Sequence, residues 1–238
     1  SYKNFNNLLG LQFSIMNMEI QALYSIFELG INAPGEMKKL LKILNPHFCL
    51  ITCIENSHIG NFKSFNHLIN NKIAIFKSNN LIYGLLNFTH SNKNLIKKNS
   101  SNIDLMNIDK FEYSFKKNQS MYEINFKYKN SNKIIFSELD GIYLETAIIS
   151  YLFLTNFIKR FNTKTFFYKK SIIGSRGNIL NKIYNGNKIK IFDHSYNCSP
   201  YSLNKQLSSF SQKKLTKKLC IIGSMMELGK HSNNYHNG

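Results

Sequence analysis

Two continuous apolar runs with a helical pattern between them constrain the fold of this chain more than any other feature. Residues 22–27 read Ala-Leu-Tyr-Ser-Ile-Phe and lead into Glu28-Leu29-Gly30; residues 47–54 read His-Phe-Cys-Leu-Ile-Thr-Cys-Ile. Runs that are apolar on both sides of the pleat suit strands covered on both faces, as in a parallel sheet. Between them Pro34 fits a first helical turn and Glu36 favours a helix N-terminus. Met37, Leu40, Leu41 and Leu44 then share one helical face before Asn45-Pro46 ends it. Strand, helix and strand in succession make a βαβ unit, so the two strands are expected to be parallel with a right-handed crossover.

Further along, the pattern predicts a second helix over 64–76. Residues 111–115, 122–128 and 133–136 alternate apolar and polar side chains and predict antiparallel strands. A strongly apolar helix is expected near 143–160. Residues 161–187, with Gly174, Gly177 and Gly186, read as a domain junction. A second βαβ unit is expected beyond it, with a strand at 188–192, a helix from Ser199-Pro200 to Phe210, and a strand at 219–222. The expectation is an α/β protein of two parts: a parallel-sheet domain over 1–163 and a Rossmann-like domain over 164–238.

Hydrophobic residues make up 43% of the 238 residues, enough for a substantial core and against wholesale disorder. The formal net charge of +18 invites an anionic partner. However, Arg160 and Arg176 are the only arginines, and asparagine and isoleucine are abundant, a skew typical of A/T-rich codons. A phosphate-backbone binder favours arginine for its two-pronged geometry. The lysine pairs are scattered too, so nucleic acid is not the expected partner, and a non-enzymatic basic protein that binds nucleic acid or an acidic partner stays as the alternative. Cys49, Cys53, Cys198 and Cys220 form no CxxC pair and suit a reducing, cytoplasmic setting. No signal peptide is recognisable. Residues 142–158 contain Glu145, Thr146, Ser150 and Asn156 and predict a buried helix rather than membrane insertion. The first residue, Ser1, and the last, Gly238, suggest a fragment.

Two constellations and one isolated arginine bear chemistry. Glu28 and His58 fall just past the carboxyl ends of the two expected parallel strands, where α/β sheets place ligands. A carboxylate and an imidazole meeting there suit a divalent cation; equally, Glu28 could cap nearby amides and His58 be an ordinary loop residue. Lys72 shares a helical stripe with Phe65, Leu68, Ile69 and Phe76. It either snorkels at the helix edge or keeps an amine available for modification or catalysis. Asp193-His194-Ser195-Tyr196-Asn197 precedes a helix N-terminus and suits a nucleotide's ribose or phosphates. Arg176, between Ser175 and Gly177, is either a phosphate partner or a plain surface residue. A G-x-x-x-x-G-K-[ST] phosphate loop is missing from the text.

Several segments together resemble the Mur ligases. They are Asn4-Phe5-Asn6-Asn7 with Gly10, ELGINAPGEM (28–37), ITCIENSHIGNFKSFNHLINNK (51–72), FDHSYNCSPYSL (192–203) and IIGSMMELGKHSNNYH (221–236). The likeness is greatest to those members that add D-alanyl-D-alanine to a UDP-N-acetylmuramoyl tripeptide. A related ligase, of folylpolyglutamate type or with another amino acid, is the nearest alternative. The resemblance implies a cytoplasmic, monomeric, ATP- and Mg²⁺-dependent ligase of peptidoglycan synthesis that works through an acyl phosphate. Glu28, His58 and a carbamylated Lys72 would hold metal and carry the catalysis. Asn6 and Asn7 would bind substrate, and Arg176, Asp193, Tyr196 and Asn197 would bind ATP. Lys3, Gln12, Ala74, His194 and Ser224 depart from the family pattern, and Gly141-Ile142-Tyr143-Leu144 stands in place of its G-x-H-N. Without the phosphate loop and a uridine-binding first domain, these 238 residues alone are expected to be inactive.

Overall fold

The structure is a computed structural model that describes residues 5–87, 102–118, 121–138, 142–157, 165–168 and 175–236. It separates into two compact units. One contains Ser1–Ile54, His58–Asn107 and Glu227–Lys230; the other contains Glu55–Ser57, Ile108–Met226 and His231–Gly238.

The first unit is built on a parallel sheet. Strand β1 (Phe48–Ile51) pairs with β2 (Tyr83–Asn87), and β2 pairs with β3 (Ile103–Met106). Helices α1 (Leu8–Met16), α2 (Glu36–Leu44) and α3 (Phe65–Lys72) belong to the same unit, and α3 tightens into a 3₁₀ turn over Ile73–Lys77. The core gathers Cys49, Ile54, Ile69, Ile73, Phe76 and Leu86, with Ile51 and Phe65 packed against it. Burial pushes the Cys49 thiol up to about 12 from 9.0. At the end of β2 the buried Asn87 donates its amide to the Thr52 carbonyl at 2.8 Å, tying the strand to the loop that leaves β1.

The expected strand at 47–54 is therefore present, but its neighbour differs from the one expected. The βαβ unit runs β1–α3–β2, and residues 22–27 lie outside the described strands, with Leu23 91% and Ile26 84% exposed. An apolar run becomes a strand only where a neighbour supplies a ladder, and a parallel neighbour is never local. Short β2 and β3 lie in lysine- and asparagine-rich text that gave no strand signal.

The second unit carries a four-stranded sheet. Strands β4 (Tyr113–Asn118), β5 (Met121–Tyr128) and β6 (Ser131–Ser137) form an antiparallel meander, and β7 (Thr165–Tyr168) adds in parallel to β6. Along β5, Tyr122, Ile124 and Phe126 are buried on one face, as alternation requires. Helix α4 (Ile142–Phe157) packs on β6 and buries Leu144, Ala147, Ile148, Ile149, Tyr151 and Leu152. The expected apolar helix thus belongs to a core, and among the described residues no helix is long and apolar enough to cross a membrane.

Helix α5 (Pro200–Ser211) starts with a capping box in which Ser199 and Ser202 exchange hydrogen bonds, with Pro200 in the first turn. Its Lys205 and Tyr201 reach the buried Glu145 of α4 at 2.6 and 3.1 Å. The second expected βαβ unit is not formed. Strand β9 (Asn187–Asp193) pairs antiparallel with β8 (Asn178–Tyr184), and residues 219–222 lie outside the described strands, with Leu219 81% and Ile221 92% exposed. The hairpin turns at Asn185-Gly186, both at positive φ (47° and 75°), the pair that a two-residue turn of this hand demands. Of the expected junction, Gly174 lies outside the described residues, as do Lys3 and Gly141 of the motif departures. The short helix α6 (Ser232–His236) closes the unit.

Candidate active site

Glu28, His58, Lys72, Asn6 and Asn7 all belong to the first unit. Glu28 follows the mostly exposed 22–27 connection rather than a strand. Its Oε1 accepts a hydrogen bond from Asn6 Nδ2 at 3.1 Å, and the Gly30 amide donates to the Asn6 carbonyl at 2.9 Å. The chain around Glu28 is thus held to Asn6 by side chain and backbone together. Asn7 acts one residue later as the N-cap of α1, its Oδ1 accepting from the Gly10 amide at 2.9 Å.

His58 lies in the loop leaving β1, at φ 63°, and opens a 3₁₀ turn over Ile59–Asn61. Few non-glycine residues adopt this left-handed conformation. The Nδ1 atom of His58 is shielded from solvent and set against the carboxylate of Glu227, itself at φ 64°. Two residues on, the Gly60 amide donates to the Glu227 carbonyl at 3.0 Å. A Cβ at Gly60 would come within 2.7 Å of the Gly229 nitrogen, so the two backbones touch where no other residue fits.

Lys72 is the last residue of α3. Ser64 caps that helix by accepting from the His67 amide at 3.1 Å, and Leu68 and Ile69 bury its inner face. One residue before Lys72, Asn71 Oδ1 accepts from the Gly35 amide at 2.8 Å, fixing this end of the helix to the start of α2. Lys72 itself is partly buried, between the extremes that its apolar stripe and its charge would each favour.

Among the described residues no three His, Cys, Asp or Glu side chains gather closely enough to hold a metal ion. The donors present still fit Mg²⁺ in kind: Glu28 offers carboxylate oxygens and His58 a ring nitrogen.

In the second unit Arg176, Asp193 and Tyr196 come together. The Arg176 guanidinium lies 4.2 Å from the centre of the Tyr196 ring, a cation–π contact worth about 0.5–1 kcal/mol at an exposed site. The Tyr196 amide donates to the Ser175 carbonyl at 3.2 Å and the Gly177 amide to the Asp193 carbonyl at 2.8 Å. Asp193 Oδ1 accepts from the Ser195 hydroxyl at 2.7 Å and its amide at 3.0 Å; these bonds hold the carboxyl below its usual range. Asn197 turns back locally, its Oδ1 accepting from the Cys198 amide at 2.8 Å. The cluster therefore presents a fixed arginine, a carboxylate and an aromatic face just before the N-terminus of α5, a composition suited to a nucleotide.

Glu227 is the residue that sequence reasoning passed over. It was visible only as one letter in the ELG of residues 227–229, and nothing in its spacing points to His58.

A family model described as Mur ligase middle domain matches residues 1–162. A relative from Rickettsia prowazekii, UDP-N-acetylmuramoyl-tripeptide–D-alanyl-D-alanine ligase, is 29% identical over 98% of this chain and 54% of its own length. The fold is similar to a crystal structure of MurF from Acinetobacter baumannii, with a TM-score of 0.77 and 19% identity over 98% of this chain and 52% of that one. It is also similar to MurF ligase from Thermotoga maritima in complex with ADP, with a TM-score of 0.69 and 18% identity over 96% of this chain and 53% of that one. The chain spans about half the length of the curated relatives it matches. With two thirds of its residues under that family model, the chain belongs to the Mur ligase family.

Proposed function

We propose that the chain is part of an ATP-dependent ligase that joins D-alanyl-D-alanine to a UDP-N-acetylmuramoyl tripeptide in peptidoglycan precursor synthesis. The observation that carries this reading is the likeness to the Rickettsia prowazekii ligase along nearly the whole chain. In this reading residues 1–163 form the central ATP-binding domain and 164–238 belong to the Rossmann-like third domain of a cytoplasmic, monomeric enzyme. The tripeptide's terminal carboxylate takes the γ-phosphoryl group of ATP. ADP leaves, the amine of D-alanyl-D-alanine then attacks the carbonyl carbon, and phosphate departs as the amine loses a proton and the amide forms.

Each cluster has a role in that chemistry. Glu28 and His58 Nε2 would hold Mg²⁺, which offsets negative charge in phosphoryl transfer when bound. Addition of CO₂ to the neutral Lys72 amine, with loss of a proton, would give a carbamate and so an oxygen ligand beside Glu28 and His58. Asn6 would fix the Glu28 carboxylate through its amide and stand with Asn7 at the substrate end of the site. Arg176 would neutralise phosphate charge, and Asp193, Tyr196 and Asn197 would contact the nucleotide.

The test is ADP release by the full-length protein supplied with ATP, Mg²⁺ and a UDP-N-acetylmuramoyl tripeptide. Release that requires D-alanyl-D-alanine, and not glutamate or single amino acids, is expected. Release driven by another amine, or by a folate acceptor, would overturn the substrate assignment.

A further inference from the structure

The contact between His58 and Glu227 repeats, residue for residue, the arrangement that holds Glu28. In one, Asn6 hydrogen-bonds the Glu28 side chain while its carbonyl accepts from Gly30, two residues past Glu28. In the other, Glu227 faces the His58 side chain while its carbonyl accepts from Gly60, two residues past His58. Each candidate ligand is thus clamped by one partner residue that uses both its side chain and its carbonyl. Asn6 was already a candidate for the site; Glu227 was not.

We infer that Glu227 is a positioning residue. Its carboxylate accepts the Nδ1 proton of His58, fixes the imidazole in the Nδ1–H tautomer, and aims the Nε2 lone pair away from Glu227. Three observations support this. Nδ1 is shielded from water, and the Glu227 carboxylate is the group set against it, so a proton there has an acceptor that water does not replace. Both residues sit at positive φ, 63° and 64°, a conformation that surrounding contacts must enforce. The backbones are locked beside them by the Gly60–Glu227 hydrogen bond and the close approach of Gly60 to Gly229. A histidine that binds a metal through one nitrogen commonly donates its other N–H to a carboxylate, which fixes the ring and raises its basicity. The metal-binding consequence rests on the function proposed above; the tautomer does not.

The experiment uses the full-length protein as wild type, Glu227→Gln, Glu227→Ala and Glu227→Asp, with circular dichroism to confirm folding. Long-range ¹H–¹⁵N spectra read the His58 tautomer without metal, and Mn²⁺ binding followed by electron paramagnetic resonance reads affinity. The wild type is expected to show the Nδ1–H form. Glu227→Ala should lose that preference and bind Mn²⁺ about 10–100-fold more weakly, with Glu227→Asp recovering part of both. An Nε2–H tautomer in the wild type, or an unchanged one in Glu227→Ala, would overturn the assignment of Glu227. If the tautomer responds while His58→Ala binds Mn²⁺ as tightly as wild type, Glu227 keeps its positioning role and the metal reading of His58 fails instead.

Discussion

The loops that carry Glu28 and His58 look alike in sequence and differ in the structure. Each follows an apolar run, and each has a glycine two residues past the acid or the imidazole. The His58 loop leaves a paired strand, β1, whose Cys49 is in the core, and Asn87 bonds the carbonyl of Thr52 within it. The Glu28 loop leaves residues 22–27, which lie outside the described strands and are exposed up to the half-buried Phe27. The glycines differ as well. A Cβ at Gly60 would strike the backbone of Gly229, whereas one at Gly30 would strike the amide end of the Asn6 side chain, 2.9 Å away. A site loop is positioned by what its strand pairs with, and the apolar run alone does not say what that is.

Substitutions can widen or erase this difference. The largest effect is expected beneath the His58 loop. Leu86→Ala removes a fully buried side chain of β2 and should cost about 2–5 kcal/mol in urea unfolding. Gly60→Ala forces backbone apart and should cost about 1–3 kcal/mol. Gly30→Ala needs only a side-chain shift and should cost less than about 1 kcal/mol, while pushing Asn6 off Glu28. Equal losses at the two glycines would show that the Glu28 loop is as tightly held as the other.

Cys49 gives a readout by pH. Its folded thiol is raised to about 12 from 9.0, so the folded state keeps a proton that the unfolded chain releases above pH 9. Stability should therefore be unaffected by this group below pH 9 and fall as pH rises from 9 towards 12. The slope approaches about 1.4 kcal/mol per pH unit, and Cys49→Ala should flatten it; an unchanged slope would place the thiol in contact with solvent. The smallest effect is expected in the other loop: Ile26→Ala should change stability by less than about 0.5 kcal/mol. A loss comparable to that of Leu86→Ala would mean that residues 22–27 are covered after all.

Much of this was legible in the sequence for local reasons. The stripe Met37, Leu40, Leu41, Leu44 gave α2, Ser199-Pro200 gave the start of α5, and alternation along 122–128 gave β5. These signals lie within one or two turns of the residues they organise. The expected strands at 22–27 and 219–222 failed because a parallel ladder depends on a partner far away in the chain. The β8–β9 hairpin was readable from Asn185-Gly186, but the apolar text of 188–192 invited a βαβ reading instead. At the candidate site, Glu28, His58, Lys72 and the Arg176–Asp193–Tyr196 cluster were marked by chemistry out of place with its surroundings. The pairing of His58 with Glu227 was not, because it joins two segments that only folding brings together.

In the proposed function Lys72 acts as a metal-supporting anion after its amine takes up CO₂. The most direct measurement is turnover of the full-length Lys72→Ala protein with and without added short-chain carboxylates. Lost turnover that formate or acetate partly restores is expected, since a small carboxylate can occupy the space of the missing carbamate. Wild-type turnover in the variant, without any added carboxylate, would contradict it.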